Sequence, residues 1–150
     1  VSDGEAEIII RAFEFADKQS EEIMIPAENV SYVSLERSLE QNLDAARKHM
    51  HARLPLCRRG LDSVIGTVSM KDVWPLLEKE RSNAAFERVC RPPIIIPLDF
   101  SQEDILRAFR KGRGQMGIVR DLAGRKTLGI VALEDVLDSL VGDVREAKLR

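Results

Sequence analysis

The 150-residue chain has no excess of basic residues: 23 Lys and Arg stand against 25 Asp and Glu, a formal net charge of −2. A nucleic-acid interface needs a basic stripe or patch, so this balance argues against that class of partner. Cysteine is scarce. Cys57 and Cys90 lie far apart, which is neither a disulfide framework nor a CxxC metal or redox motif. Buried thiols in a reducing compartment are the expectation. Histidine is scarce too. His49 and His51 are two residues apart and share no helix face, so they form no metal pair and read as surface or ligand-contact residues. Long apolar runs are missing. The densest is Ile94-Ile95-Ile96, far short of the roughly 20 residues that span a bilayer, and no signal-peptide pattern is present. Enzyme constellations are missing as well. No Ser/His/Asp or Cys/His set stands at motif spacing, and Glu134 and Asp135 face different sides of their helix. What is present is 44% hydrophobic and 32% charged residues, too apolar for disorder and enough for a core without staples.

The chain matches itself at an offset of 63. Ser38 maps to Ser101, Leu43 to Leu106, Arg47 to Arg110, Gly66 to Gly129, Val68 to Val131 and Asp72 to Asp135. In the middle, Leu56-Cys57-Arg58 against Ile118-Val119-Arg120 suggests an offset of 62, restored by small loop indels. Each half begins with a β-prone run, at 30–33 and 94–96. A helix follows, opened by a capping box: Ser38 with Gln41, and Ser101 with Asp104. Leu39, Leu43, Ala46 and Met50 are spaced to form one apolar helix face, and Leu106 and Phe109 carry the second. Strands are expected over 54–58 and 64–69, then 116–120 and 127–132. Second helices are expected over 71–79 and 134–140. Gly124 marks a hairpin turn within 121–126. The predicted fold class is therefore α/β, in the wider sense of α+β, with β-α-β-β-α repeated under a pseudo-two-fold. Ile9, Phe13 and Ala16 predict a lead-in helix over 3–18. Its acids Asp3, Glu5 and Glu7 read as a solvated face, with cation binding as the alternative.

Ser69-x-x-Asp72 falls where a strand ends and a helix begins. Two readings stand open. A helix N-terminus with a hydroxyl suits a phosphate, and Asp72 one turn in is able to accept from two ribose hydroxyls. The same four residues also have the spacing of a capping box, worth about 0.5–2 kcal/mol with no ligand. Arg53 has two readings as well: a phosphate partner, or half of a surface ion pair.

A tandem carrying Gly66-Thr67-Val68-Ser69-Met70-Lys71-Asp72 and Gly129-Ile130-Val131-Ala132-Leu133-Glu134-Asp135 resembles a pair of cystathionine-β-synthase (CBS) domains, a Bateman module. Met24-Ile25-Pro26, His51-Ala52-Arg53-Leu54-Pro55-Leu56, Met116-Gly117-Ile118-Val119-Arg120-Asp121 and the run from Leu133 to Asp143 are similar to the CorC/HlyC, cyclin-M-like group. The resemblance implies a linker over 1–23, a first CBS repeat over 24–80 and a second over 81–150. It implies a cytosolic regulatory piece of a membrane protein linked to magnesium and cobalt efflux, on the cytoplasmic side of a bacterial inner membrane, with a membrane domain upstream. It implies an adenosine nucleotide (AMP, ADP or ATP), with or without Mg²⁺, as regulatory ligand, and a homodimer formed through the CBS helices. Trp74, Leu77 and Val141 are candidates for that dimer face or, equally, for core within the chain.

Carried over residue by residue, one nucleotide site joins Asp135 and Ala132 to Ile25, His51, Ala52 and Arg53. The other joins Ser69 and Asp72 to Pro93, Gln115 and Met116. The departures fall mainly on the first site: Ala132 stands for a Ser or Thr, Ile25 for a Thr, and His51-Ala52 for Tyr-Ser. Leu122 replaces an acid in the second hairpin turn. Two missing hydroxyl donors, at about 1 kcal/mol each, weaken that site by one to two orders of magnitude. Ligand sensing, structural dimerisation with degenerate sites, enzymatic activity and cation storage by the lead-in acids are the competing functions.

Overall fold

The computed structural model describes residues 4–6, 20–48 and 50–139. Residues 4–6 are helical, and the rest of the expected lead-in helix, with Ile9, Phe13 and Ala16, lies outside the described residues. Asp3, Glu7, His49, Leu140 and Val141 lie outside the described residues. The first half comprises α1 (Ser20–Ile23), β1 (Ile25–Pro26), a 3₁₀ turn (Ala27–Asn29), β2 (Val33–Ser34), α2 (Leu39–Arg47), β3 (Arg53–Cys57), β4 (Val64–Ser69) and α3 (Met70–Lys79). The second comprises α4 (Ala84–Val89), β5 (Ile94–Pro97), α5 (Gln102–Gly112), β6 (Met116–Arg120), β7 (Thr127–Ala132) and α6 over 133–139.

Both capping boxes form. Gln41 N–H donates to the Ser38 hydroxyl at 3.2 Å, and Ser38 N–H donates to Gln41 Oε1 at 2.9 Å. Asp104 N–H donates to the Ser101 hydroxyl and Ser101 N–H to the Asp104 carboxylate, each at 3.2 Å. These caps fix where α2 and α5 start and therefore which faces they bury. Leu43 and Ala46 of α2, and Ile105 and Phe109 of α5, are buried, with Leu106 only partly so. Asn42 replaces an apolar residue in α2. It is buried without penalty because Ser34 N–H donates to its Oδ1 and its Nδ2 donates to Ser34 O, both at 2.9 Å.

Met50 does not extend the α2 face. The helix ends at Arg47, and Met50 takes a left-handed φ of 51° and is 91% exposed. Arg113, its counterpart after α5, has a φ of 54°. Both halves thus leave the first helix through a left-handed residue that is not glycine, at a cost of order 1 kcal/mol that the surrounding fold must offset.

The strands form two sheets, β2-β3-β4 and β1-β7-β6-β5. In each, the first strand after the lead segment runs parallel to the next and that strand is antiparallel to the last. Arg53 pairs with Ser69 and Leu56 with Gly66; Met116 pairs with Ala132 and Val119 with Gly129. The ladder bulges at Leu56/Cys57 and at Val119/Arg120. From β2 and β5 onward these registers place the offset at 63, so the expected indels around 56–58 and 118–120 are absent. The Arg58–Arg120 match that suggested 62 is a coincidence of identity. The expected run over 30–33 is also shorter. Only Val33–Ser34 pairs, because Val30 caps the 3₁₀ turn and the Tyr32 carbonyl accepts from Arg37 Nη1 at 2.7 Å.

Each half has its own core. Val33, Leu43, Leu54, Leu56, Val68, Val73, Leu77 and Phe86 fill the first. Ile96, Ile105, Phe109, Val119, Val131 and Val136 fill the second. Leu77 belongs to this interior, at 4% exposure, and not to a dimer face. Periodicity gives no sign of α4, whose six residues are too few to show it; it closes the first core with Ala85 and Phe86. Met116, Ile118 and Ile130 pack with Val30 and Val64 between the halves. Cys57 is buried, and desolvation pushes its thiol up to about 12; Cys90 is half-buried.

Two contacts lock the halves together. Asp62 in the first hairpin accepts the Thr127 N–H at 2.8 Å, its carbonyl accepts Arg120 Nη1 at 3.0 Å, and the Thr127 hydroxyl donates to Leu61 O. Further along, the lead segment of each half crosses onto the last strand of the other. β1 pairs antiparallel with β7 through Ile25↔Ile130. Arg91 pairs antiparallel with Thr67 of β4 through two N–H···O bonds of 3.0 and 2.9 Å. Glycine permits both crossings. A Cβ on Gly129 would lie 2.2 Å from Ile25 O, and one on Gly66 would lie 2.2 Å from Arg91 O. Met24-Ile25-Pro26 and Cys90-Arg91-Pro92 are therefore the equivalent segments, 66 residues apart.

Two outcomes follow. Asp62→Ala leaves the buried Thr127 N–H without its acceptor and should lower unfolding stability by about 1–3 kcal/mol in urea; a change within 0.3 kcal/mol, on the order of surface substitutions, would show that the hairpin contact is incidental. Gly129→Ala should detach β1 from β7 and speed hydrogen exchange at the Ile25 and Ile130 amides. Unchanged exchange would contradict the crossing geometry.

Candidate functional site

The crossings create two cavities on either side of the pseudo-two-fold. The first holds Ile25, Val30, Ser31, His51, Ala52, Arg53, Gln115, Met116, Ile130, Ala132 and Glu134 among its walls and measures about 220 Å³. The second is walled by Arg53, Thr67, Ser69, Lys71, Asp72, Arg91, Pro92, Ile94, Arg113, Gln115 and Met116, among others, and measures about 380 Å³. Ligand pockets usually fall at roughly 300–1,000 Å³, so only the second has the volume for a nucleotide-sized guest as it stands.

The residues named from sequence divide as follows. Ile25, His51, Ala52, Arg53 and Ala132 come together in the first cavity. Asp135 is not in its wall; it is exposed on α6, and the neighbouring Glu134 lines the cavity instead. Ser69, Asp72, Gln115 and Met116 come together in the second, with Pro92 in the wall and Pro93 outside it. The reason is the offset of 66 in the lead segments, which makes Pro92 the counterpart of Pro26. Arg53, Gln115 and Met116 line both cavities.

Ser69 is the N-cap of α3 by position, with φ −100° and ψ 125°, yet its hydroxyl makes no capping bond. The capping-box reading of Ser69-x-x-Asp72 is therefore not realised, unlike Ser38 and Ser101. Ser69, Lys71 of the first turn of a ten-residue helix and the half-buried Asp72 all border the second cavity, while the Met70 N–H donates to Ala52 O at 2.8 Å. The ion-pair reading of Arg53 is not realised either. Among the described residues, Arg53, Lys71, Arg91 and Arg113 enter no salt bridge, whereas Arg59 pairs with Glu36, Arg81 with Glu40 and Arg107 with Glu103.

Charge separates the cavities. The second sets Arg53, Lys71, Arg91 and Arg113 against one carboxylate, Asp72. The first sets Arg53 against Glu134. Arg91 and Arg113 were not legible as site residues: Arg91 stands alone between Cys90 and Pro92 outside any motif, and Arg113 follows the basic helix end Arg110-Lys111, which reads as a solvated face. Their signal is structural. Arg91 is on the crossing segment, and Arg113 is turned by its left-handed backbone. Among the described residues no group of three or more His, Cys, Asp or Glu is arranged to hold a metal ion. No helix among them is long and apolar enough to cross a membrane.

A family model described as CBS domain matches residues 87–142. Hemolysin C of Brachyspira hyodysenteriae is 30% identical over 146 residues, covering 97% of this chain and 53% of that protein. The chain spans about half the length of the curated relatives it matches. The CBS domain of a bacterial CNNM/CorC family Mg²⁺ transporter, solved with the inhibitor IGN95a, is 30% identical with a TM-score of 0.77, over 95% of this chain and 87% of that one. The same kind of domain solved in complex with ATP is 29% identical with a TM-score of 0.79, over 92% and 97% of the two chains. Repeat, crossing geometry and these likenesses agree: the chain belongs to the CBS-domain family, in the branch of the CNNM/CorC and hemolysin C proteins.

Proposed function

We propose that this chain is the cytosolic, non-catalytic sensor of a divalent-cation transport protein of the membrane, and that it binds an adenosine nucleotide in the cavity bordered by Ser69 and Asp72. The observation that carries this reading is the second cavity itself. It joins an uncapped hydroxyl at a helix N-terminus, a carboxylate one turn in, and four cations without ion-pair partners among the described residues. The N-terminal N–H groups and the cations suit phosphates. Asp72 suits the ribose hydroxyls, and Ile94 and Met116 offer apolar surface to a base. ATP is the ligand in a related CBS domain, and it matches this cationic wall better than AMP does. Mg²⁺ then enters with the nucleotide.

The first cavity supports nucleotide binding less well. Ala132 and Ile25 lack hydroxyls, Asp135 stands outside the wall, and the net charge is balanced. A linked membrane domain is part of this proposal, and its support is the likeness to the CBS domain of a CNNM/CorC family Mg²⁺ transporter. The homodimer reading gains support from an open apolar groove beside α2 and α3, where Met50 is 91% and Trp74 39% exposed. A second copy would cover that groove, and light scattering of Trp74→Glu against the unmodified chain reads whether it does.

Calorimetric titration with ATP, with and without Mg²⁺, tests the assignment. Asp72→Ala should weaken binding about ten- to a hundredfold, the worth of a hydrogen bond to a charged group, and Asp135→Ala should leave it unchanged. Tight binding lost in Asp135→Ala but kept in Asp72→Ala would refute the site. No heat at all would favour the purely structural dimerisation reading.

A further inference from the structure

The two cavities are built alike and carry different charge, and the difference is sharpest at one helix position. Lys71 of α3 lines the second cavity, and its counterpart at the offset of 63, Glu134 of α6, lines the first. At the crossing the first cavity has Ile25 where the second has Arg91. The first cavity is thus left with one guanidinium, Arg53, and one carboxylate, Glu134, together with the imidazole of His51. Among the described residues neither Arg53 nor Glu134 enters a salt bridge, with the other or with a third group. Two opposite charges that border one cavity without meeting leave a gap for a guest that carries both. Most of the remaining wall is apolar, with Ile25, Val30, Met116, Ile130 and Ala132. The volume of about 220 Å³ falls below the roughly 300 Å³ at which ligand pockets usually begin, so that guest is small.

We propose that the first cavity binds a free α-amino acid with an aliphatic side chain. Such a molecule holds a carboxylate and an ammonium group on one carbon, with an apolar chain attached. Its carboxylate meets Arg53, with the Ser31 hydroxyl as a further donor in the wall, and its ammonium group meets Glu134. Its side chain lies against Ile25, Val30 and Ile130 and takes that apolar area out of water. Both charges are needed. A guest with only one of them leaves either Arg53 or Glu134 desolvated and uncompensated, which costs affinity. A carboxylate in a helix's first turn has a stabilising role of its own. That role calls for neither an unpaired guanidinium at the same cavity nor an apolar wall beside it. The proposal does not rest on the nucleotide reading, because neither Glu134 nor Ile130 borders the Ser69–Asp72 cavity.

Calorimetric titration with L-leucine tests this, with isoamylamine, which lacks its carboxylate, and isocaproate, which lacks its ammonium group, as controls. The unmodified chain should bind one L-leucine, and each control at least tenfold more weakly. Glu134→Gln, a change at an exposed position that keeps the side chain's shape, should weaken L-leucine about ten- to a hundredfold. Asp72→Ala, in the other cavity, should leave it unchanged, with a thermal melt confirming each fold. No binding of L-leucine would overturn the site. So would a control that binds as tightly, undiminished affinity in Glu134→Gln, or affinity lost in Asp72→Ala. The ATP titration reads the nucleotide proposal separately, and neither result decides the other.

Discussion

The close crossing of a lead segment over a glycine holds this molecule together and makes its cavities. Ile25 lies across Gly129, and Arg91 lies across Gly66, at distances that leave no room for a Cβ. Each crossing ties one half's first residues to the other half's last strand, so neither repeat completes its sheet alone. Asp62 and Thr127 add a second tie at the opposite end of the strands. Between those ties lies the apolar seam of Met116, Ile118, Ile130, Val30 and Val64. The cavities open where the crossings meet the N-termini of α3 and α6, so the elements that secure the fold also wall the site.

That frame is nearly symmetric, and the side chains break the symmetry in one direction. Ser69 has Ala132 as its counterpart, Arg91 has Ile25, Arg113 has Met50, and Lys71 has Glu134. Every substitution removes a hydroxyl or a positive charge from the first cavity's side of the axis or adds one to the second. Electrostatic focusing inside a cleft multiplies such differences. A duplicated fold has become one charged site and one nearly neutral one.

Much of this was legible in the sequence. The offset of 63, the capping boxes at Ser38 and Ser101, and the strands over 64–69, 116–120 and 127–132 rest on local chemistry that tertiary packing did not override. The Ser69-x-x-Asp72 motif was legible as a choice between cap and ligand contact, and the structure removes the cap, because the Ser69 hydroxyl makes no capping bond. The rest depended on non-local geometry. The lead segments share little but Pro26 and Pro92, so their true offset of 66 emerges only from strand pairing. That hid Arg91 and drew attention to Pro93. Met50 fits a helical period that the backbone abandons at Arg47. Asp135 repeats the motif of Asp72, yet its side chain stands at the surface.

The position of a bound nucleotide distinguishes the two cavities most directly. A structure of the chain solved with ATP should place one nucleotide per chain in the Ser69–Asp72 cavity, with its phosphates against Arg91, Arg113 and Arg53 and its ribose at Asp72. A nucleotide found instead beside Ala132, with Arg53 turned toward it and the Ser69 cavity empty, would contradict the account.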